Sequence, residues 1–222
     1  MFKEFLNEKS GKIKILSFWP IFGTMFWCLE KFNKGRLHEV YCAWDDRIPF
    51  CEYFIIPYYF WFLFLIGMII YGFFWDDDAF KNYMKFTIIS YFTTLIIYLI
   101  YPTMQNLRPE EFVRNNIFVE LAKHTYDTDT NTNVCPSIHV LGSMATYFAA
   151  RKSKHFGSLT WRIIFFVIAA SIILSTAFVK QHSVVDIISA IILGMIIYPI
   201  VYPCSKKSGG AEKVKRVEAG VV

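Results

Sequence analysis

His182 and Asp186 stand four residues apart in "KQHSVVD", so a helix opening at Ser183 sets the carboxylate one turn from the imidazole. A carboxylate there holds one ring N–H, fixes the tautomer and leaves the other nitrogen with its lone pair turned outward, which makes a nucleophile or a base. In "NVCPSIHVLG", Pro136 can begin a helix without losing a needed N–H. The amides of Ser137, Ile138 and His139 would then lie at a helix N-terminus suited to an anion. Ser137 can equally serve as the cap of that helix. Arg108, in "LRPEEFVRNN", offers planar multi-donor binding to phosphoryl oxygens. Together these residue types point to phosphoryl transfer: one histidine takes the phosphoryl group covalently and the other protonates the leaving oxygen. Metal ligation by His139, His182 and Asp186 is the alternative, but no HExxH or cysteine-based pattern accompanies them, and no metal or cofactor is expected.

These residues lie far apart in the chain and need a scaffold that gathers them. Of the 222 residues, 55% are hydrophobic and 19% aromatic, and the apolar residues fall in long blocks without amphipathic periods, as in membrane proteins. Blocks of roughly 17 to 25 apolar residues cross a bilayer as helices, whereas strands would need short alternating segments. The expected fold is all-α, one polytopic membrane helix bundle over residues 1–204 with about six transmembrane helices. The segments are Ile15 to Leu29, Phe54 to Trp75, Phe86 to Tyr101, Val140 to Ala150 with its flanks, Ile163 to Val179, and Val184 to Tyr202. Residues 205–222, "SKKSGGAEKVKRVEAGVV", read as a basic disordered cytoplasmic tail.

Charge distribution sets the expected orientation. With the N-terminus inside, the inner segments hold 15 of the Lys and Arg residues and the outer loops hold 8, which favours both termini in the cytoplasm of a multi-pass cell-membrane protein. Arg108, Ser137, His139, His182 and Asp186 then converge on the extracytoplasmic side. The partners this implies are the bilayer and a lipid phosphate, with no nucleic acid; the oligomeric state is open. The five cysteines form no CxxC pair and no regular framework, so neither a zinc site nor a disulfide scaffold is indicated. The loop from Gln105 to Cys135 is long enough to be functional, with its Asp, Thr and Asn run supplying turns and caps. "DDRIPFCEYFIIPYYFW", from Asp45, reads as an interfacial anchor ahead of the second segment.

Three stretches, "YPTMQNLRP", "PSIH" and "STAFVKQHSVVD", resemble in order and spacing the signature of the type 2 phosphatidic acid phosphatase (PAP2) superfamily, K-x6-RP, PSGH and SR-x5-H-x3-D. The resemblance implies a helical core without a metal, His182 as nucleophile, Asp186 orienting it, His139 as general acid, and Ser137 and Arg108 binding phosphate. The implied activity is a lipid phosphate or prenyl pyrophosphate phosphatase. Tyr101, Ile138 and Thr176 replace the signature's lysine, glycine and arginine, so two cations of its phosphate clamp are missing. Lys180 and Arg114 are candidate replacements. The form "CPSIH", with no arginine in the third motif, looks closer to the branch that includes inositol phosphorylceramide synthases, lipid phosphotransferases that pass a phosphorylated head group to a lipid alcohol. A non-catalytic lipid-binding protein or transporter is the alternative from another class.

Overall fold

The computed structural model describes residues 2–33 and 35–203, and the tail expected at 205–222 lies outside the described residues. The chain is an all-α helix bundle. In order it forms α1 (Phe2–Leu16), α2 (Phe18–Phe32), α3 (Ile55–Phe74), α4 (Asp77–Ile100), α5 (Ile117–Thr128), α6 (Ile138–Lys152), α7 (Leu159–Phe178) and α8 (Val184–Val201).

Among the described residues, four helices are long and apolar enough to cross a membrane: α3, α4, α7 and α8. This corrects the expected six. Both α2 and α6 have 15 residues, which at about 1.5 Å of rise per residue falls short of a hydrocarbon core about 30 Å thick. The two differ in how they are used. Helix α6 packs against α3, α4, α7 and α8, and eleven of its residues are buried, so neighbouring protein replaces lipid around it. Its Gly142, Ser143, Ala145, Ala149 and Ala150 keep the side-chain layer thin and let the surrounding helices approach. Helix α2 lies on the outside, with Phe18 and Phe22 packed onto α4 through Tyr91.

Exposed apolar side chains such as Phe62, Leu63, Phe166, Val167, Ile192 and Ile196 line the outer faces of α3, α7 and α8, which is the surface lipid requires. The expected boundaries of α3, α7 and α8 agree with the structure to within a turn or so. Helix α4 begins nine residues before the expected Phe86, at Asp77, because Asp76 caps it by accepting from the Ala79 amide at 3.1 Å. At the same end of the bundle the Lys12 ammonium donates to the carbonyls of Gly72 (3.2 Å) and Phe73 (2.6 Å) and pairs with Asp77. A cation at the C-terminus of α3 satisfies carbonyls that have no partner within the helix.

The opposite end carries the loops. Two short parallel strands, β1 (His38–Glu39) and β2 (Thr103–Met104), pair His38 with Thr103 and Glu39 with Met104. The long connection contains α5, a helix the sequence reading did not assign. Asn116 starts it by accepting from the amides of Phe118 and Val119. Ala122 of α5 joins Ile55, Tyr58 and Val179 in a small second core, fastening the loop to the bundle end.

Close helix contact creates one sharp sensitivity. A methyl group at Gly72 would stand 2.8 Å from the backbone of Phe80, whereas one at Gly67 meets nothing within 4 Å. Gly72→Ala should therefore lower stability by about 1–3 kcal/mol by overpacking, with Gly67→Ala near neutral, as read from thermal unfolding of the detergent-solubilised protein.

Candidate active site

The loop end of the bundle is where α6 and α8 both begin. Ser137 is the N-cap of α6, buried, its Oγ facing the Val140 amide at 3.4 Å. Its own amide points at the Asp186 carbonyl at 3.3 Å, so the two helix starts lie side by side. Helix α8 opens with a capping box, in which Ser183 is the N-cap and the Asp186 carboxylate accepts the Ser183 amide at 2.9 Å.

His182 precedes that cap and lies in the turn after α7. Its backbone amide and that of Gln181 both donate to the Thr176 carbonyl, at 3.1 and 2.9 Å. Its Nδ1 is 3.2 Å from Asp186 Oδ2, and its Nε2 is 3.2 Å from His139 Nδ1. Asp186 is completely buried, and both histidines are 6% exposed. With both imidazoles neutral, the chain of contacts has one consistent proton assignment. The carboxylate takes the His182 Nδ1–H, which leaves Nε2 with a lone pair that accepts from His139 Nδ1–H. His182 Nε2 and His139 Nδ1 thus face each other as acceptor and donor. The His139 ring lies between the rings of Tyr58 and Trp61, at centroid distances of 4.8 and 4.4 Å, which hold its plane.

Both histidines line a small cavity of about 20 Å³ together with Ile138, Asp129, Asn133 and Gln181. Next to it, an open groove of about 440 Å³ bounded by Phe26, Tyr58, Tyr59, Trp61 and Phe62 also reaches His139 and Asp129.

The other expected site residues take different places. Arg108 turns both terminal nitrogens to protein, while its Nε is buried without a hydrogen-bond partner: Nη1 donates to the Tyr126 carbonyl at 2.9 Å, and Nη2 to the Asp129 carbonyl at 2.5 Å and to Gln181 Oε1 at 2.6 Å. It also stacks over the Tyr126 ring. Burial draws its pKa down while the Asp129 charge pulls it back up, and a guanidinium stays charged throughout. Arg108 therefore meets the cavity through Gln181 and Asp129. Lys180 adopts a left-handed backbone with φ of 55°, and its ammonium donates to the Asp45 carbonyl at 2.7 Å. Burial lowers its pKa, partly offset by Asp45 and Asp46. Arg114 pairs with Glu52 at 3.0 Å. Tyr101 is exposed and stacks on His38, with ring centroids 4.1 Å apart, and Thr176 is buried. Neither signature cation is replaced at the histidine pair by Lys180 or Arg114.

Asp45, which sequence reasoning passed over as part of an interfacial anchor, is a buried carboxylate at this end. It accepts from Ser183 Oγ at 2.6 Å, from the Val184 amide at 2.8 Å and from the Cys42 amide at 2.8 Å. A second acidic group so close to the N-terminus of α8 satisfies amides the helix leaves free and suits its dipole. No spacing in the sequence signals it, since its partners are 138 and 139 residues away.

The apolar helices make this an integral membrane protein. A family model of the PAP2 superfamily matches residues 82–209, more than half of the chain and all three motif stretches. The chain belongs to the PAP2 superfamily, whose members are generally phosphatases or phosphotransferases. No curated protein and no solved structure matches it.

Asp45 lies outside the matched residues yet holds the start of α8. Asp45→Ala should cost about 2 kcal/mol through three donors left without an acceptor, and hydrogen exchange at the Val184 amide should quicken. Unchanged exchange there would show that another group caps the helix.

Proposed function

We propose that the protein is an integral membrane phosphatase for a lipid phosphate or prenyl pyrophosphate, acting through a phosphohistidine on His182 at the outer face, with both termini in the cytoplasm. The observation that carries the reading is the Asp186–His182–His139 line, with its two contacts of 3.2 Å at the cavity.

In the first step the His182 Nε2 lone pair attacks phosphorus. An N–P bond forms, the P–O bond to the leaving group breaks, and His139, entering the step as an imidazolium with both nitrogens protonated, gives its Nδ1 proton to the departing oxygen and becomes neutral. The phosphoryl group enters between the two rings, which must part to admit it. In the second step His139, now deprotonated, takes a proton from water as its oxygen attacks phosphorus. The N–P bond breaks, and both histidines return to their starting states. Asp186 stays ionised and stabilises the positive charge that His182 develops. The open groove beside His139 supplies an apolar path for a lipid chain. The outer location is supported by the excess of Lys and Arg in the segments at the other end of the bundle, a count in which α2 and α6, though short, carry the chain from one end to the other.

A second reading replaces water with a lipid alcohol, making the protein a lipid phosphotransferase akin to the inositol phosphorylceramide synthase branch. It is favoured by Tyr101 and Thr176 at the signature's cation positions and by Lys180 being turned to Asp45. A singly charged phosphodiester donor needs less cationic compensation than a doubly charged monoester.

The experiment is turnover by the purified protein on a panel of lipid phosphates, prenyl pyrophosphates and head-group donors, with diacylglycerol or ceramide present. His182→Ala should abolish product and also the acid-labile phosphoprotein label, and His139→Ala should slow turnover by about 10²- to 10⁴-fold. Free phosphate identifies the phosphatase, and a new phospholipid without free phosphate identifies the transferase. A wild type that turns over nothing, yet binds or moves lipid, sinks the enzyme reading in favour of a non-catalytic lipid-binding protein or transporter.

A further inference from the structure

The cavity beside the two histidines has an unusual lining for a phosphate site. Its residues include one carboxylate, Asp129, and neither a lysine nor an arginine. They do include two side-chain amides, Asn133 and Gln181, each 3% exposed. The Nδ2 of Asn133 and the Nε2 of Gln181 are both buried with no hydrogen-bond partner. A buried donor left unpaired costs about 1–3 kcal/mol, and two of them on one cavity call for an occupant that accepts hydrogen bonds.

The orientation of both amides is set from behind. Gln181 Oε1 accepts from Arg108 Nη2 at 2.6 Å, which turns its NH₂ away from the guanidinium; that NH₂ comes near the Tyr58 hydroxyl without completing a bond. Asn133 Oδ1 accepts from Asn33 Nδ2 at 3.1 Å, and Asn33 is itself anchored to the Tyr98 carbonyl at 2.9 Å. Exchanging oxygen and nitrogen in either amide would set donor against donor. Asn133 also has φ of 53°, a left-handed conformation that asparagine tolerates better than most residues at a modest energetic cost. Its amide, donating to the Thr103 carbonyl at 2.6 Å, holds the backbone there. The carboxamide is thus carried on a backbone bent for the purpose and presented from a rigid support.

We propose that Asn133 and Gln181 form a neutral clamp for the non-bridging phosphoryl oxygens, and that the clamp selects a lipid phosphodiester, whose phosphoryl group bears a single negative charge. Neutral donors satisfy oxygen lone pairs without compensating a second charge. A dianionic monoester would meet Asp129 at the cavity wall and Asp186 behind His182, with Arg108 already engaged by three acceptors. This inference rests on the phosphohistidine reading above in its phosphotransferase form, and adds Asn133, outside the three signature motifs, and Gln181, at an unassigned position within the third.

The test compares steady-state turnover of a phosphatidyl-head-group diester, with ceramide as acceptor so that diacylglycerol leaves and a new sphingolipid forms, against phosphatidic acid at pH 7.5. Gln181→Met and Asn133→Gly remove the donors without adding charge, and glycine keeps the left-handed backbone accessible. Gln181→Glu and Asn133→Asp keep the anchoring oxygens toward Arg108 and Asn33 and exchange each donor for an anionic acceptor. Size-exclusion profiles and thermal midpoints verify folding. The expected result is diester turnover exceeding monoester turnover in the wild type. KM for the diester should rise about tenfold in each neutral variant and further in each acidic one. KM within twofold of wild type in the folded neutral variants, or a wild type that prefers the monoester, overturns the clamp while leaving the phosphohistidine intact. Turnover of neither lipid, with no label on His182, overturns the underlying reading as well.

Discussion

A carboxylate fully removed from solvent at the end of an apolar bundle is the constraint on which this structure turns. Burying an ionised Asp186 without partners would cost several kcal/mol. The fold answers with the Ser183 amide and the His182 imidazole, both on the same oxygen. Those two contacts have three effects: they start α8, they seat the turn after α7, and they leave one nitrogen of His182 free for His139. The histidine therefore inherits its orientation from a requirement of stability. Helix initiation and site geometry are one arrangement of atoms.

Support spreads outward from that carboxylate by satisfying backbone groups that the turn exposes. Thr176 occupies the place of a signature arginine, and its carbonyl receives the amides of Gln181 and His182. Gln105 reaches the carbonyls of Lys180 and Gln181. Asp45 closes the start of α8 from a loop more than 130 residues earlier in the chain. The cations of this end serve the same purpose, with Lys180 on the Asp45 carbonyl and Arg108 on the carbonyls of Tyr126 and Asp129. Positive charge here braces loops, and the cavity wall is left to amides, hydroxyls, imidazoles and the Asp129 carboxylate.

Helix α6 explains how a polar centre coexists with a membrane fold. It presents His139 at its first turn, and the neighbouring helices bury most of its length. A helix enclosed by protein needs neither the length nor the uniform hydrophobicity of a lipid-facing one. Reading apolar blocks as spans therefore overcounted: α2 and α6 have the pattern of membrane segments but the length of packing elements. The long polar loop was read as turns and caps, and its caps are real, yet the Asn116 cap opens a helix whose apolar side is satisfied only against Ile55 and Tyr58.

The sequence by itself determined the all-α class, the positions of α3, α7 and α8, and the His182–Asp186 relation, because those follow from local period and composition. Residues four apart near a helix start must lie on one face, and long apolar blocks must be helical in lipid. Only the tertiary structure decided which groups meet His182 and which way the amides point. His139 is 43 residues from its imidazole partner, and Asn33 is 100 residues from the Asn133 oxygen it anchors. Such contacts arise when packed helices bring distant ends together, and no local periodicity encodes them. The same holds for Arg108 and Lys180: their charge was legible in the sequence, but the acceptors they engage were chosen by the unsatisfied carbonyls that folding placed within their reach.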